Sequence, residues 1–391
     1  MYEYCIIGGG LAGLYTAYKL EQREPNAKII LLERNRQLGG RIDTVGGVEA
    51  GAGRFHEQQP LINQLIKELG LKSKPISETD FFIPTGTHTL YDWSQIRKIT
   101  DRIVRHPNPP RNKTFLNYAA TVVSPSDVKL LVRFYGYTFD KMNAYDTVEM
   151  IRRHFSGNQY FILDGGLSQI IHELTKRLTR TMVKTRTRVS DIVYNDGVFT
   201  IVSDNQNQFQ ANRCICAVQA ITLQKWPIFK HIYPMLRAIK SLPLCRIYAH
   251  VRNIPKHTIT TDNDLRMVIP IHDDIVMMSY TDGYRATQWN ELWKSQGIAA
   301  VNREHKRLLG NTYGVPIPMP TKTQVFYWEH GVAFFGTDFD SGTMPQKIMR
   351  PFADMPLFVC GENYSATNYQ WMEGALGTSE YILGLLDNIS V

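Results

Sequence analysis

Gly8-Gly9-Gly10-Leu11-Ala12-Gly13 follows the apolar run Tyr2-Glu3-Tyr4-Cys5-Ile6-Ile7, and the reading of this junction decides the fold. The run before the glycines has the length and character of a buried strand. Beyond them, Leu11, Leu14, Tyr15, Tyr18 and Leu20 recur at helical spacing and predict a helix over 11–24. The glycines themselves fit G-x-G-x-x-G. Gly8 permits the tight turn out of the strand, Gly10 lets a pyrophosphate approach the backbone, and Gly13 lets the helix pack on the sheet. Leu11 and Ala12 open the helix, whose first N–H groups and positive dipole end face the same phosphates. A second apolar run over 28–33 completes a strand–helix–strand unit, with parallel strands and a right-handed crossover expected. It ends in Glu33, 20 residues beyond Gly13, with Arg34 next. An acid at that place suits the hydroxyls of an adenosine ribose and disfavours a 2′-phosphate, so a dinucleotide other than NADP is expected, with Glu33 and Arg34 among its contacts.

Composition narrows the class. The 391 residues allow one large or two medium domains, and the 43% apolar and 20% charged fractions are those of an ordinary globular protein. No apolar run approaches the roughly 20 residues a membrane span needs. The strand beginning at Tyr2 leaves no room for a leader, so a cytoplasmic chain without a membrane span is expected. The five cysteines are an odd set within strand-like runs and are expected to be reduced and buried. Cys214 and Cys216 alternate along one strand instead of showing zinc spacing, and no metal is expected. The net charge of +8 is scattered, with modest clusters over 97–113 and 176–188. Without a zinc finger, an RNA-recognition signature or a basic helix with heptads, no nucleic-acid partner is expected.

Further along, 60–69 reads as a helix closing at Gly70. The stretch 79–155 changes character, with more aromatic and basic residues, three prolines (Pro107, Pro109, Pro110) and a helix over 126–135. Asp164-Gly165-Gly166 precedes a helix over 167–178. Strands are expected over 188–194 and 197–203, turning at Asn195-Asp196-Gly197, and over 213–218. Segment 237–329 is mixed, with strand-like runs over 245–251, 267–271 and 275–280. The chain ends in a buried strand over 357–361 and a helix over 372–386. No repeat or low-complexity linker is visible, which points to interleaved domains.

Two features separate FAD from NAD. Gly39-Gly40-Arg41 follows the second strand: the glycines allow close backbone approach, and the arginine offers a bidentate donor to phosphate. Near the other end, Val359-Cys360-Gly361-Glu362-Asn363-Tyr364-Ser365 leads to Tyr369-Gln370-Trp371-Met372-Glu373-Gly374-Ala375. There a loop delivers an aromatic residue to a helix N-terminus, which suits the negative charge a flavin gathers around N1 and O2 on reduction.

At these residues the chain resembles the flavin-containing amine oxidase superfamily, which includes monoamine, polyamine and L-amino-acid oxidases. Blocks match in order: residues 7–13 through Arg41, then Glu49-Ala50-Gly51-Ala52-Gly53-Arg54, then 161–166 with Val189, and last 358–375. The resemblance implies an α/β fold, in which a Rossmann-type FAD-binding domain is interleaved with a mixed α+β substrate-binding domain. The FAD-binding part is expected over 1–78, 157–236 and 330–391, and the substrate-binding part over 79–156 and 237–329. It further implies that Glu33 meets the adenosine ribose, Arg41 the pyrophosphate and Val189 the adenine side. Gly51, Ala52, Gly53 and Arg54 would line the flavin ring, Gly361 and Glu362 the ribityl–pyrophosphate region, and Gln370, Trp371, Met372 and Ala375 the pyrimidine edge. Gly8, Gly10, Gly13 and Gly40 complete the expected cofactor set.

For substrate, the resemblance makes Trp371 one wall of an aromatic cage. Phe334, in His330-Gly331-Val332-Ala333-Phe334-Phe335, is the candidate for the other wall. Val332 and Ala333 stand where some relatives carry a cysteine that tethers the flavin, so FAD is expected to be non-covalent. Arg54 aligns with an arginine that pairs with the substrate carboxylate in L-amino-acid oxidases, a role its planar fork suits. A contact with a flavin carbonyl or a structural acid remains open beside that role. Arg246 takes the slot where the family commonly has a lysine that assists oxygen. It keeps the charge but cannot deprotonate.

The implied activity is oxidation of a C–N bond of an amine or amino acid to an imine, with oxygen reduced to hydrogen peroxide. Arg246 and Trp371 stand nearest the chemistry. The alternatives are a flavin-dependent C–C desaturase or isomerase and a flavin-binding module without turnover. Oligomeric state is open, a homodimer among the options.

Overall fold

A computed structural model describes residues 1–76, 80–136, 138–155 and 158–387. The chain divides into two compact units. The first comprises Met1–Ile76, Gly157–Lys240 and Asp338–Val391, and the second Ser77–Ser156 and Ser241–Thr337. The boundaries expected at 78/79 and 156/157 fall on or beside positions outside the described residues.

The first unit is built on the glycine turn. Strand Tyr2–Ile7 and strand Ile29–Leu32 pair in parallel, with helix Leu11–Arg23 between them in sequence. The remaining strands extend this sheet in the order Met182–Lys184, Ile29–Leu32, Tyr2–Ile7, Gln208–Cys216, Val198–Ser203, Val189–Asn195. Gln208–Cys216 serves two partners along its free edge. Residues 208–211 pair with Val198–Ser203, and residues 214–216 pair in parallel with Leu357–Val359. The C-terminal stretch thereby lands beside the glycine turn. Ile6, Ile30, Leu31, Ile215 and Phe358 are fully buried, as expected of parallel strands covered on both faces. A separate antiparallel sheet places Phe55 opposite Phe161 and His56 opposite Tyr160, with Ser73–Ile76 along the other edge of Tyr160–Leu163.

The second unit carries a sheet in the order Thr321–Phe335, Ile239–His250, Ile275–Asp282, Met267–His272, Thr258–Thr261, Asp80–Ile83, Tyr91–Asp92. Cys245, Ile247, Ala249, Val276 and Met278 turn toward the helical segment Gly283–Tyr313, where Trp289, Val301 and Leu309 meet them. A register shift between Ile247 and Tyr248 leaves Arg246 opposite Tyr280 and Tyr248 opposite Met277, on the face away from that core. Residues 330–335, expected in the FAD-binding part, are the end of strand Thr321–Phe335, so they belong with this unit and the boundary lies at 338.

Helix Pro125–Tyr135 in this unit ends against an arginine. Arg266 donates from Nη1 to the Arg133 carbonyl at 2.9 Å and from Nη2 to the Phe134 carbonyl at 2.7 Å, satisfying carbonyls that the helix end leaves unpaired. Gly136, at φ +62°, has no room for a Cβ because the Arg266 guanidinium would lie 2.1 Å from it. Arg266→Leu should therefore lower unfolding free energy by about 2–4 kcal/mol, read by urea denaturation, because buried carbonyls lose a charged donor. An unchanged midpoint would rule this account out.

Candidate cofactor and substrate site

The glycine turn has three different steric situations. At Gly8, φ is +112° and an added Cβ would meet the Ala217 carbonyl oxygen at 2.4 Å; at Gly13 it would meet the Gly8 carbonyl oxygen at 2.0 Å. Both glycines are required by the protein itself. Gly10 is different: its dihedrals are φ −80° and ψ −177°, and an added Cβ would find nothing nearer than 4.0 Å. The space above Gly10 lies at the N-terminus of helix Leu11–Arg23, whose cap uses no side chain. A cradle that only a Cβ would fill, at a helix start, fits a pyrophosphate. Leu11 and Ala12 are buried behind it.

Glu33 closes one side of the turn. Its Oε2 accepts from Gly9 N at 2.8 Å and its Oε1 from Asn35 N at 2.8 Å, so each oxygen keeps one lone pair for a hydroxyl. The backbone of Glu33 exchanges hydrogen bonds with Lys184 and Thr187, two residues short of the strand that begins at Val189. Gly39 N bonds the Gly9 carbonyl, which lays Gly39-Gly40 along the turn, and Arg34 is exposed just beyond Glu33.

Arg41 pairs with Glu362 at 2.5 Å, and the Ala52 N–H bonds the Arg41 carbonyl at 2.8 Å. Gly51 fits only without a side chain, since a Cβ would sit 2.0 Å from the Arg41 carbonyl oxygen. Glu362 Oε2 accepts from Gln370 N at 2.7 Å. Gln370 adopts φ +70°, a left-handed conformation unfavourable for its side chain and of the kind that collects at functional sites. Trp371 and Met372 follow directly, with Ala375 in the first turn of helix Met372–Leu386. The structure thus brings Gly8, Gly10, Gly13, Glu33, Gly40, Arg41, Gly51, Ala52, Gly361, Glu362, Gln370 and Trp371 into one unit, although they come from opposite ends of the chain.

Arg54 joins them through an aromatic stack. Its guanidinium lies 4.1 Å from the centre of the Tyr160 ring, and Tyr160 stacks on Trp371 at 6.2 Å and 24°. His56 meets Trp371 edge-on at 5.2 Å, and burial lowers its pKa to about 4, so the ring is neutral. Tyr160 and His56 escaped sequence reading. Only the antiparallel register of residues 55–56 with 160–161 brings them beside Trp371, and no local pattern announces that pairing.

Arg246 and Phe334 lie in the second unit. Arg246 is 7% exposed and its guanidinium lies 4.6 Å from the centre of the Tyr280 ring. Burial pushes the pKa of Arg246 down, but the neighbouring Tyr248 and Tyr280 phenols outweigh it and the net shift is upward, so the group stays cationic. Phe334 is buried near the end of Thr321–Phe335, beyond Gly331, where a Cβ would strike the Leu244 Cβ at 2.4 Å. The cysteines are free and buried, with burial pushing Cys360 to about 11 and Cys245 to about 12, so neither is a nucleophile at neutral pH. Among the described residues no group of three or more His, Cys, Asp and Glu side chains is placed to hold a metal, and no helix is long and apolar enough to cross a membrane.

Comparison with known proteins places the chain in a family. Residues 6–69 match the NAD(P)-binding Rossmann-like domain, which defines the class of the first unit's core. Residues 146–380 match the family model for flavin containing amine oxidoreductases, and the chain belongs to that family. Along almost its whole length it is similar to an uncharacterized protein of Acanthamoeba polyphaga mimivirus, at 22% identity over 97% of this chain and 93% of the relative. A shorter match, 38% identical, joins 28% of this chain to 22% of coproporphyrinogen III oxidase from Mycobacterium tuberculosis. Among solved structures, a putrescine oxidase double mutant from a redesign of cofactor binding superimposes with a TM-score of 0.77 at 17% identity, covering 99% of each chain. At that identity the likeness is one of fold.

Proposed function

We propose that this protein is an enzyme that holds FAD non-covalently and oxidises a C–N bond of an amine or amino acid to an imine, with oxygen reduced to hydrogen peroxide. The observation that carries the reading is the Arg54–Tyr160–Trp371 stack, within the same unit as the glycine turn. FAD would supply the two-electron acceptor. Gly10 and the helix start behind it would hold its pyrophosphate with Arg41, Glu33 its adenosine ribose, and Val189 its adenine side. The N-terminus of helix Met372–Leu386 would face the pyrimidine edge, offering N–H groups where negative charge gathers. The Trp371 face orients an amine nitrogen, and Arg54, spread over Tyr160, presents a planar donor fork to a carboxylate. Phe334 and Arg246, the other residues expected near substrate, belong to the second unit, and the reading does not rest on them. Free, buried thiols suit a reducing compartment, and the reading carries a cytoplasmic setting.

An anaerobic screen of amines, polyamines and L-amino acids, watching the visible absorbance of the FAD-loaded protein, tests this. Bleaching by at least one of these classes is expected. In Arg54→Ala, L-amino acids should lose about 10- to 100-fold in apparent affinity while simple amines change little, since a charged hydrogen-bonded pair contributes about 1.5–3 kcal/mol. Equal losses for both classes would remove Arg54 from carboxylate recognition. The partial matches to coproporphyrinogen III oxidase support a second reading, oxidation of a porphyrinogen. Bleaching by coproporphyrinogen and by no amine would select it.

A further inference from the structure

We propose that Glu373 is the positioning residue that registers the Arg54–Tyr160 pair against Trp371 and so sets where the substrate sits. This rests on the reading of Trp371 and Arg54 as substrate-facing.

Glu373 is 3% exposed, in the first turn of helix Met372–Leu386, yet its carboxylate serves a different helix. Oε1 accepts from Leu61 N at 3.0 Å and Oε2 from Ile62 N at 2.9 Å. These donors open helix Pro60–Glu68, where Pro60 has no N–H and the cap residue Gln59 makes no side-chain cap bond. The Gln59 side chain turns back, its Oε1 accepting from His56 N at 3.2 Å. Asn63 Nδ2 fastens the same turn through the His56 carbonyl at 2.9 Å and the Gln59 carbonyl at 2.6 Å. The start of the helix is therefore rigidly joined to His56, which pairs with Tyr160 across the small sheet, with Arg54 two residues before it.

On its other side, Glu373 stands two residues from Trp371, in a segment with little freedom. Trp371 N bonds the Asn368 carbonyl at 3.3 Å, and Gly374 lies so close to that loop that a Cβ would meet the Asn368 oxygen at 2.2 Å. One carboxylate thus joins the segment that carries Arg54 to the segment that carries Trp371. Burial holds the Glu373 pKa above the usual carboxylate range, and the two N–H bonds pull against that shift. A serine or aspartate at position 59 would cap the helix locally without such burial. A cap supplied from the Trp371 segment couples two walls of the site, which a local cap cannot do.

The test compares Glu373→Ala with the double variant Glu373→Ala/Gln59→Ser in FAD-loaded protein. Benzylamine is the probe, its affinity read anaerobically from the perturbation of the flavin spectrum, beside the thermal midpoint. E373A should lower the midpoint and weaken benzylamine by about tenfold, as expected when one wall of a binding site loses its register. Adding Q59S, with Q59S alone as the control for the lost Gln59–His56 bond, should recover part of the midpoint through a local cap and leave benzylamine weaker than in Q59S alone. Recovery of both in the double variant, or parent-like benzylamine affinity in E373A, overturns the proposal. Should E373A not fold, E373Q, which keeps one acceptor oxygen, takes its place with the same two readings. Failure of the underlying functional reading shows separately, in unmodified protein that no amine, polyamine or L-amino acid perturbs or bleaches; the positioning role then falls with it.

Discussion

Gly10→Val is expected to fold like the parent and to retain no FAD, whereas Gly13→Ala is expected to damage the fold itself. The difference follows from what surrounds each position. Gly10 has dihedrals any residue adopts and no atom nearer than 4.0 Å to an added Cβ, so the protein alone sets no demand for glycine there. A side chain at Gly10 would fill the space over the helix start where a pyrophosphate would lie, and FAD affinity should fall by about 100-fold or more. Gly13, with the Gly8 carbonyl oxygen 2.0 Å from its virtual Cβ, must force the helix off the strand, at about 1–3 kcal/mol or more of stability. Circular dichroism and thermal melting read the first property, and fluorescence quenching on titration with FAD reads the second. Stoichiometric FAD in G10V would sink the assignment of this turn as the cofactor's cradle.

The second large effect is expected at Glu33. In Glu33→Ala, the Gly9 and Asn35 N–H groups lose their acceptor, each leaving a donor whose desolvation is worth about 1–3 kcal/mol when buried. The same carboxylate is the only group assigned to the adenosine ribose. FAD affinity should drop by about 100-fold or more, since sites built to bond a hydroxyl discriminate strongly for it. FMN, which lacks the adenosine, separates the two roles. Its affinity should change only as far as the turn is disturbed. Equal losses for FAD and FMN would reassign Glu33 to holding the turn alone.

Much of the cofactor unit was legible because its signals are local. Strand Tyr2–Ile7 and helix Met372–Leu386 have the bounds that periodicity predicts, and helix Pro60–Glu68 ends one residue short of prediction. The largest miss was helix Gly283–Tyr313, read as mixed structure. Gly297, at φ +74°, interrupts the helical backbone, so the segment is two helices meeting at a kink. Strand Thr321–Phe335 was likewise not read as a strand. Its alternation is masked because Val325 and Tyr327 face the core while Phe326, on the opposite side, meets Tyr248 edge-on at 6.0 Å.

The sequence by itself determined the class of this protein: a strand, a glycine turn, a helix and an acid at set spacing, with a second glycine–arginine segment and an aromatic residue at a late helix start. Those are requirements of backbone conformation and ligand approach, and they are written in adjacent residues. Tertiary structure alone decided which side chains keep company with Trp371. Tyr160 and His56 arrive by antiparallel pairing, and Glu373 reaches across to Leu61 and Ile62. Contacts between residues a hundred or more positions apart depend on strand register and helix packing, which are settled by burial of the whole core and leave no periodicity in the chain.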